Sequence, residues 1–247
     1  MGFLGQTVFD LGAPVYDALT AHALWRLHAE RLLRGVALPA GPVRVLDLGC
    51  GPGMSALALA AALGPRARVL GLDLAGRMLT LARRKLARDP VGARLSLVRA
   101  DALHLPLADA SVDLVTGHSF LYLVPDPPGV LREAARVLRP GGALSLMEPR
   151  AGGTLSGLAR SSLPAAGRAL RESPASALRL GLAMTVWRVW SAGVGRFTPA
   201  RAEGLLRQAG FEAIETEPTL GGLGLLVRGR RAASLEQARA ERSEAGA

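Results

Sequence analysis

The residues best placed to do chemistry stand in one short run, Asp47-Leu48-Gly49-Cys50-Gly51-Pro52-Gly53, with Asp73, Asp101 and His118 further along the chain. Glycine at alternate positions permits a tight turn and lets a ligand lie directly against the backbone. VRVLDL before the turn reads as a strand and MSALALAAAL after it as a helix, whose first turn offers free N–H groups and partial positive charge. The spacing departs from the dinucleotide fingerprint GxGxxG, because the third glycine comes one place early and Met54 stands where Gly or Ala is wanted. An unperturbed imidazole titrates near neutrality, so His118 is the candidate general base, if the reaction needs one. Packing and backbone contacts are the alternative role for its imidazole. Cys50 has no basic partner nearby in sequence and reads as a small filler, not a nucleophile. His22, His28 and His104 have no acid or cysteine at ligand spacing, so no metal is expected.

The elements that must position these groups alternate between strand and helix. Strands are predicted over 43–48, 68–74, 93–100, 111–118 and 143–149, and helices over 54–63, 76–88 and 127–138. Asp126-Pro127-Pro128-Gly129 reads as the start of the last of these helices. After 151 the alternation breaks; it returns as a helix over 198–210 and strands over 211–219 and 223–230. Such alternation predicts an α/β fold, a doubly wound, mostly parallel seven-stranded Rossmann-like sheet covered on both faces. The chain divides into an N-terminal helical segment (1–42), a core (43–150), an insertion (151–197), the end of the core (198–230) and a polar tail (231–247).

The turn resembles the first motif of the class I S-adenosylmethionine-dependent methyltransferases, D/E-x-G-x-G-x-G. GLDLAGRML (71–79), RADALHLPLADASVDLV (99–115) and LREAARVLRPGGALSLMEP (131–149) resemble that family's following motifs in order. FDLGAPVYDALTAHALWRLHAE (9–30) is similar to the opening of the branch that methylates quinone precursors. The resemblance implies S-adenosyl-L-methionine as cofactor. Gly49, Gly51 and Gly53 would carry its methionine part, and Asp47 the polar network near the amine and sulfonium. Asp73 would accept from the ribose hydroxyls. Asp101 and the Ala102 N–H would meet the adenine, with Leu74 and Met78 packed on the ring. Tyr16 and His118 would also line the site. The bland alternatives are a plain tight turn for the glycines, capping for Asp73 and Asp101, and core packing for Met78.

Charge and composition bear on the acceptor. The chain has 247 residues, 49% of them hydrophobic, and a net charge of +10. From Arg150 to Arg201 eight arginines face one acid, Glu172, so most of the excess charge is local and points to an anionic partner or surface. Residues 151–197 are expected to form a helical lid over a small, largely apolar acceptor such as a quinone precursor, lipid or secondary metabolite. Tryptophans and arginines in SALRLGLAMTVWRVW also suit peripheral contact with an anionic membrane. The N-terminus has no basic start followed by an apolar run, and no stretch of about 18 apolar residues occurs, so a cytoplasmic protein, or one peripheral at the inner membrane face, is expected. Two other catalytic functions stay open, beside a non-catalytic protein that binds the cofactor and transfers nothing. One is an NAD-dependent oxidoreductase, disfavoured by Met54. The other is an RNA-modifying methyltransferase, favoured by charge but without a separate RNA-binding module.

Overall fold

A computed structural model of the chain describes residues 12–14, 16–17, 24–152, 175, 182, 185 and 196–233. Alternation along β1 (Val43–Leu48) sets the architecture: Val43 and Val45 point to one face of the sheet, Leu46 and Leu48 to the other, and all four are buried. The first pair packs on α2 (Met54–Leu63) through Ala56 and Ala60. The second pair joins a larger cluster with α4 (Pro127–Val137) and α5 (Pro199–Gln208), contributed by Val130, Leu131, Ala134, Ala202 and Leu206. A strand buried on both faces belongs at the centre of a parallel sheet.

The remaining strands are β2 (Ala67–Asp73), β3 (Leu95–Arg99), β4 (Val112–His118), β5 (Leu138–Pro149), β6 (Phe211–Thr219) and β7 (Gly224–Arg231), with α3 (Gly76–Leu86) between β2 and β3. The sheet order is β3-β2-β1-β4-β5-β7-β6. β1 through β5 run parallel, and β7 is antiparallel to both β5 and β6. The chain winds outward from β1 to β3, then restarts at β4 on the other side of β1. The carboxyl ends of β1 and β4 therefore flank the crevice where ligands bind in open α/β sheets. Helix α1 (Leu24–Leu33) is tied beneath this sheet by Ser145 Oγ, which donates to the Leu32 carbonyl at 2.7 Å.

Two boundaries differ from expectation. Pro140-Gly141-Gly142 does not simply end a helix. β5 begins at Leu138, paired with Val112, and the ladder resumes only at Ala143, paired with Leu114. The residues between bulge out because Pro140 has no N–H to give and Gly141 takes φ +72°. β3 is shorter than expected because Pro90–Arg94 forms a 3-10 turn in front of it, capped by Asp89. Asp126 does start α4, its carboxylate accepting from the Gly129 N–H at 3.0 Å.

Past β5 the chain passes through a narrow neck. Phe197 N–H donates to the Pro149 carbonyl and Ala151 N–H to the Phe197 carbonyl, both at 2.8 Å. Between these points Ala175, Leu182 and Thr185 are helical; residues 153–174, 176–181, 183–184 and 186–195 of the expected lid lie outside the described residues. So do residues 1–11 and the tail beyond 233. Among the described residues no helix is long and apolar enough to cross a membrane, and no group of three metal-ligating side chains occurs.

Candidate functional site

The three glycines of the turn all take positive φ, but each for its own reason: +63° at Gly49, +52° at Gly51 and +83° at Gly53. A Cβ on Gly49 would lie 2.6 Å from Phe120 Cδ2, so the loop after β4 packs directly on it. A Cβ on Gly53 would lie 3.0 Å from that of Ala82, so this glycine lets α3 approach the start of α2. A Cβ on Gly51 would meet only the Tyr16 ring, at 3.9 Å. Of the three, Gly51 is the one whose bareness no protein packing demands.

Gly51 faces a cleft of about 730 Å³, open mouth included, at the carboxyl ends of β1, β2 and β4. Tyr16, Gly49, Gly51, Asp73, Leu74, Met78, Asp101, Ala102 and His118 all line it. The two carboxylates are held by backbone. Asp73 Oδ2 accepts from Gly51 N–H and its Oδ1 from Ala75 N–H, both at 2.8 Å. Asp101 Oδ1 accepts from Leu103 N–H at 3.0 Å. Each carboxylate thus fixes backbone: Asp73 the glycine turn and the approach to α3, whose N-cap is Ala75, and Asp101 the turn after β3. Met78 is buried against Ala13 and Ala75 as well as lining the cleft.

Asp47 and Gly53 do not line the cleft. Asp47 lies wholly buried under the turn, where its Oδ2 accepts from Ser55 Oγ at 2.5 Å and its Oδ1 from Thr116 Oγ1 at 2.8 Å. Burial raises its carboxyl from 3.8 to about 6, against the pull of the two hydroxyls. A carboxyl raised on folding costs stability above its folded pKa and costs nothing below its unfolded one. Asp47→Asn should therefore be more favourable to the fold at pH 8 than at pH 4, by about 2–3 kcal/mol relative to its parent. Urea denaturation of both proteins at the two pH values checks this, and an equal or larger gain at pH 4 would refute it. Comparing the variant with its parent at each pH cancels His118, whose slope has the opposite sign.

Burial pushes His118 from 6.5 down to about 3. The imidazole is neutral throughout the physiological range and a weak proton acceptor, which sets it apart from a poised general base. Tyr16 is raised to about 12 by burial and then by the charge of Asp73, so its phenol keeps its proton. Tyr16 belongs to a short N-terminal stretch fixed over the turn by Lys85, the chain's one lysine. The Lys85 ammonium pairs with Asp17 and donates to the Pro52 carbonyl at 3.3 Å. Cys50 is buried, and its thiol is pushed well up by that burial and by Asp73 and Asp47, as befits a filler.

Sequence reasoning missed the loop Ser119-Phe120-Leu121 and its anchor, Glu148. Ser119 and Phe120 line the cleft, and Glu148 is buried at the end of β5 with both oxygens turned to that loop. Ser119 sits at φ +52°, a conformation that sequence does not announce for serine.

A family model described as a methyltransferase domain matches residues 46–146. The ubiquinone/menaquinone biosynthesis C-methyltransferase of Syntrophotalea carbinolica is 34% identical over 240 residues, covering 92% of this chain and 93% of that one. The chain belongs to this family, the class I S-adenosylmethionine-dependent methyltransferases of the quinone-biosynthesis branch. A 2-phytyl-1,4-naphtoquinone methyltransferase of Thermosynechococcus vestitus is 31% identical, covering 88% of this chain and 95% of that one. Other relatives match over less: the demethylmenaquinone methyltransferase of Lactiplantibacillus plantarum is 39% identical over 149 residues, and the match spans 61% of its length. Among solved structures, a SAM-dependent methyltransferase from Aquifex aeolicus (16% identity) shares the methyltransferase fold at TM-score 0.60, covering 92% of this chain and 98% of that one. The [4+2]-cyclase SpnF (19% identity) shares it at TM-score 0.68, covering 93% and 97%.

Proposed function

We propose that the protein transfers a methyl group from S-adenosylmethionine to a small, largely apolar acceptor of the quinone-precursor kind. The observation that carries this is the cleft at the strand switch point. There a Cβ on Gly51 would meet only the Tyr16 ring, at 3.9 Å, while Asp73 and Asp101 stand at the ends of neighbouring runs. These residues fit the cofactor. The glycine turn would hold its methionine part, Asp73 its ribose hydroxyls, Asp101 and Ala102 the polar edge of its adenine, and Leu74 and Met78 the ring face. Bound there, the cofactor supplies a methyl group already activated on a sulfonium. What the chain adds is alignment and proximity. At the β4 end of the cleft the imidazole of His118 is neutral and weakly basic. An acceptor that arrives with its own electron-rich carbon or oxygen suits such a site better than one that must first lose a tightly held proton. The relatives named for menaquinone and phytylnaphthoquinone methylation support an acceptor of this type.

The same fold serves the cyclase SpnF, so methyl transfer itself needs a direct test. Purified protein is incubated with cofactor labelled on its methyl group and an extract of the source cells. Label is expected in the organic fraction. Label in nucleic acid would overturn this function in favour of RNA modification, with the basic stretch 150–201 as its binding surface. Tight binding of NAD in place of S-adenosylmethionine would favour the oxidoreductase. The insertion 151–197 is proposed as the lid over the acceptor, its positive charge suiting an anionic acceptor or membrane surface. Sedimentation with anionic vesicles, and none with neutral ones, is the expected result for the membrane role.

A further inference from the structure

We propose that Glu148 is a positioning residue for the cleft: its carboxylate holds the loop after β4 so that Phe120 stands as a wall beside Gly49. This rests on the cleft being the cofactor site. Glu148 Oε1 accepts from Leu121 N–H at 2.8 Å and Phe120 N–H at 3.2 Å, and Oε2 from Tyr122 N–H at 3.4 Å. These consecutive amides open the 3-10 turn Leu121–Leu123, and one buried carboxylate answers them all. The loop is also fastened by Ser119 N–H to the Met147 carbonyl at 2.7 Å. Its product is the placement of Phe120. A Cβ on Gly49 would lie 2.6 Å from that ring, and one on Gly117 would lie 3.4 Å from it. Phe120 thus fills the gap between the ends of β1 and β4 and lines the cleft, whereas Glu148 does not reach it.

A buried carboxylate is a costly way to cap one turn unless its hydrogen bonds are all made and their geometry matters. Burial raises the carboxyl to about 7, and the three N–H groups pull the other way. The titratable or charged groups nearest to it along the adjoining elements are His118 at the end of β4, Tyr122 in the loop and Arg150 just past β5; Arg228 and Arg230 on β7 stand opposite Ser145 and Ala143, further back along β5. Opposite it on β7 stands Leu225. His118, held near 3, does not change charge in the same range.

The test uses the full chain labelled with 4-fluorophenylalanine, the Phe120 resonance being assigned with Phe120→Leu. Glu148→Gln keeps the side chain's volume but turns one acceptor into a donor facing an N–H. The variant is expected to melt cooperatively, to show a displaced and broadened Phe120 resonance, and to bind S-adenosylmethionine about tenfold more weakly. In the parent the Phe120 resonance should titrate with a midpoint near 7, and in the variant it should not move between pH 6 and 8. An unchanged resonance together with unchanged affinity would overturn the proposal. If the variant does not fold, the titration of the parent decides, a flat profile counting against Glu148. If the parent binds no S-adenosylmethionine, the function falls, and the Phe120 resonance still decides what Glu148 does.

Discussion

Asp73→Ala should weaken S-adenosylmethionine binding by at least about a hundredfold, since two charge-assisted hydrogen bonds to a ribose carry roughly 3 kcal/mol or more between them. The loss has a second source. Asp73 Oδ2 fixes the Gly51 N–H, so the same carboxylate that would grip the ribose also shapes the turn under the methionine part. Removing it leaves the N–H groups of Gly51 and Ala75 without their present acceptor and loosens the turn from the end of β2, to which the Cys50 N–H still bonds through the Leu72 carbonyl. Calorimetric titration of parent and variant measures the effect, with thermal melts to show that the variant is folded. Affinity retained within a few-fold would place the cofactor elsewhere and remove the basis for the proposed function.

Gly49→Ala and Gly51→Ala should part stability from binding. Both glycines hold positive φ, which costs an alanine about 1–2 kcal/mol. At Gly49 the new methyl would also drive into Phe120, adding roughly 1–3 kcal/mol of overpacking. Gly49→Ala should therefore lower the unfolding free energy by about 2–5 kcal/mol. Gly51→Ala has no such neighbour and should cost stability only the backbone term. Its methyl would stand in the space assigned to the ligand, so it should lose cofactor binding while remaining folded. Denaturant titration and calorimetry on the two variants decide the matter. If Gly51→Ala binds cofactor as well as the parent does, the turn is only a turn.

What could be read from the sequence was local. The alternation of strands and helices is punctuated by Gly64-Pro65, Asp89-Pro90 and Asp126-Pro127, each of which ends or begins an element within a few residues of its neighbours. The glycine turn and the strand-ending acids are legible for the same reason, because their chemistry lies within one strand, turn and helix. What could not be read joins distant parts of the chain. Glu148 looks like the end of a buried strand, and nothing near it shows that its partners are the amides of Phe120, Leu121 and Tyr122 on another strand's loop. Asp47 illustrates both cases. Ser55 lies eight residues on, along the motif, whereas Thr116 is 69 residues away and reaches it only because β4 restarts the sheet beside β1. His118 was legible as a cleft residue, but its low proton affinity follows from three-dimensional burial, which no spacing encodes.

The neck formed by Pro149, Ala151 and Phe197 has a consequence for how such a protein can change over time. Its two hydrogen bonds close the sheet before residues 152–196 begin and resume it where they end. Segments between these points can lengthen, shorten or be replaced without shifting the register of β5 against β7. A graft from a relative, joined at Arg150 and Phe197, meets matched ends. Inheritance can thus keep the donor site constant while the part of the chain beyond the neck diverges from lineage to lineage.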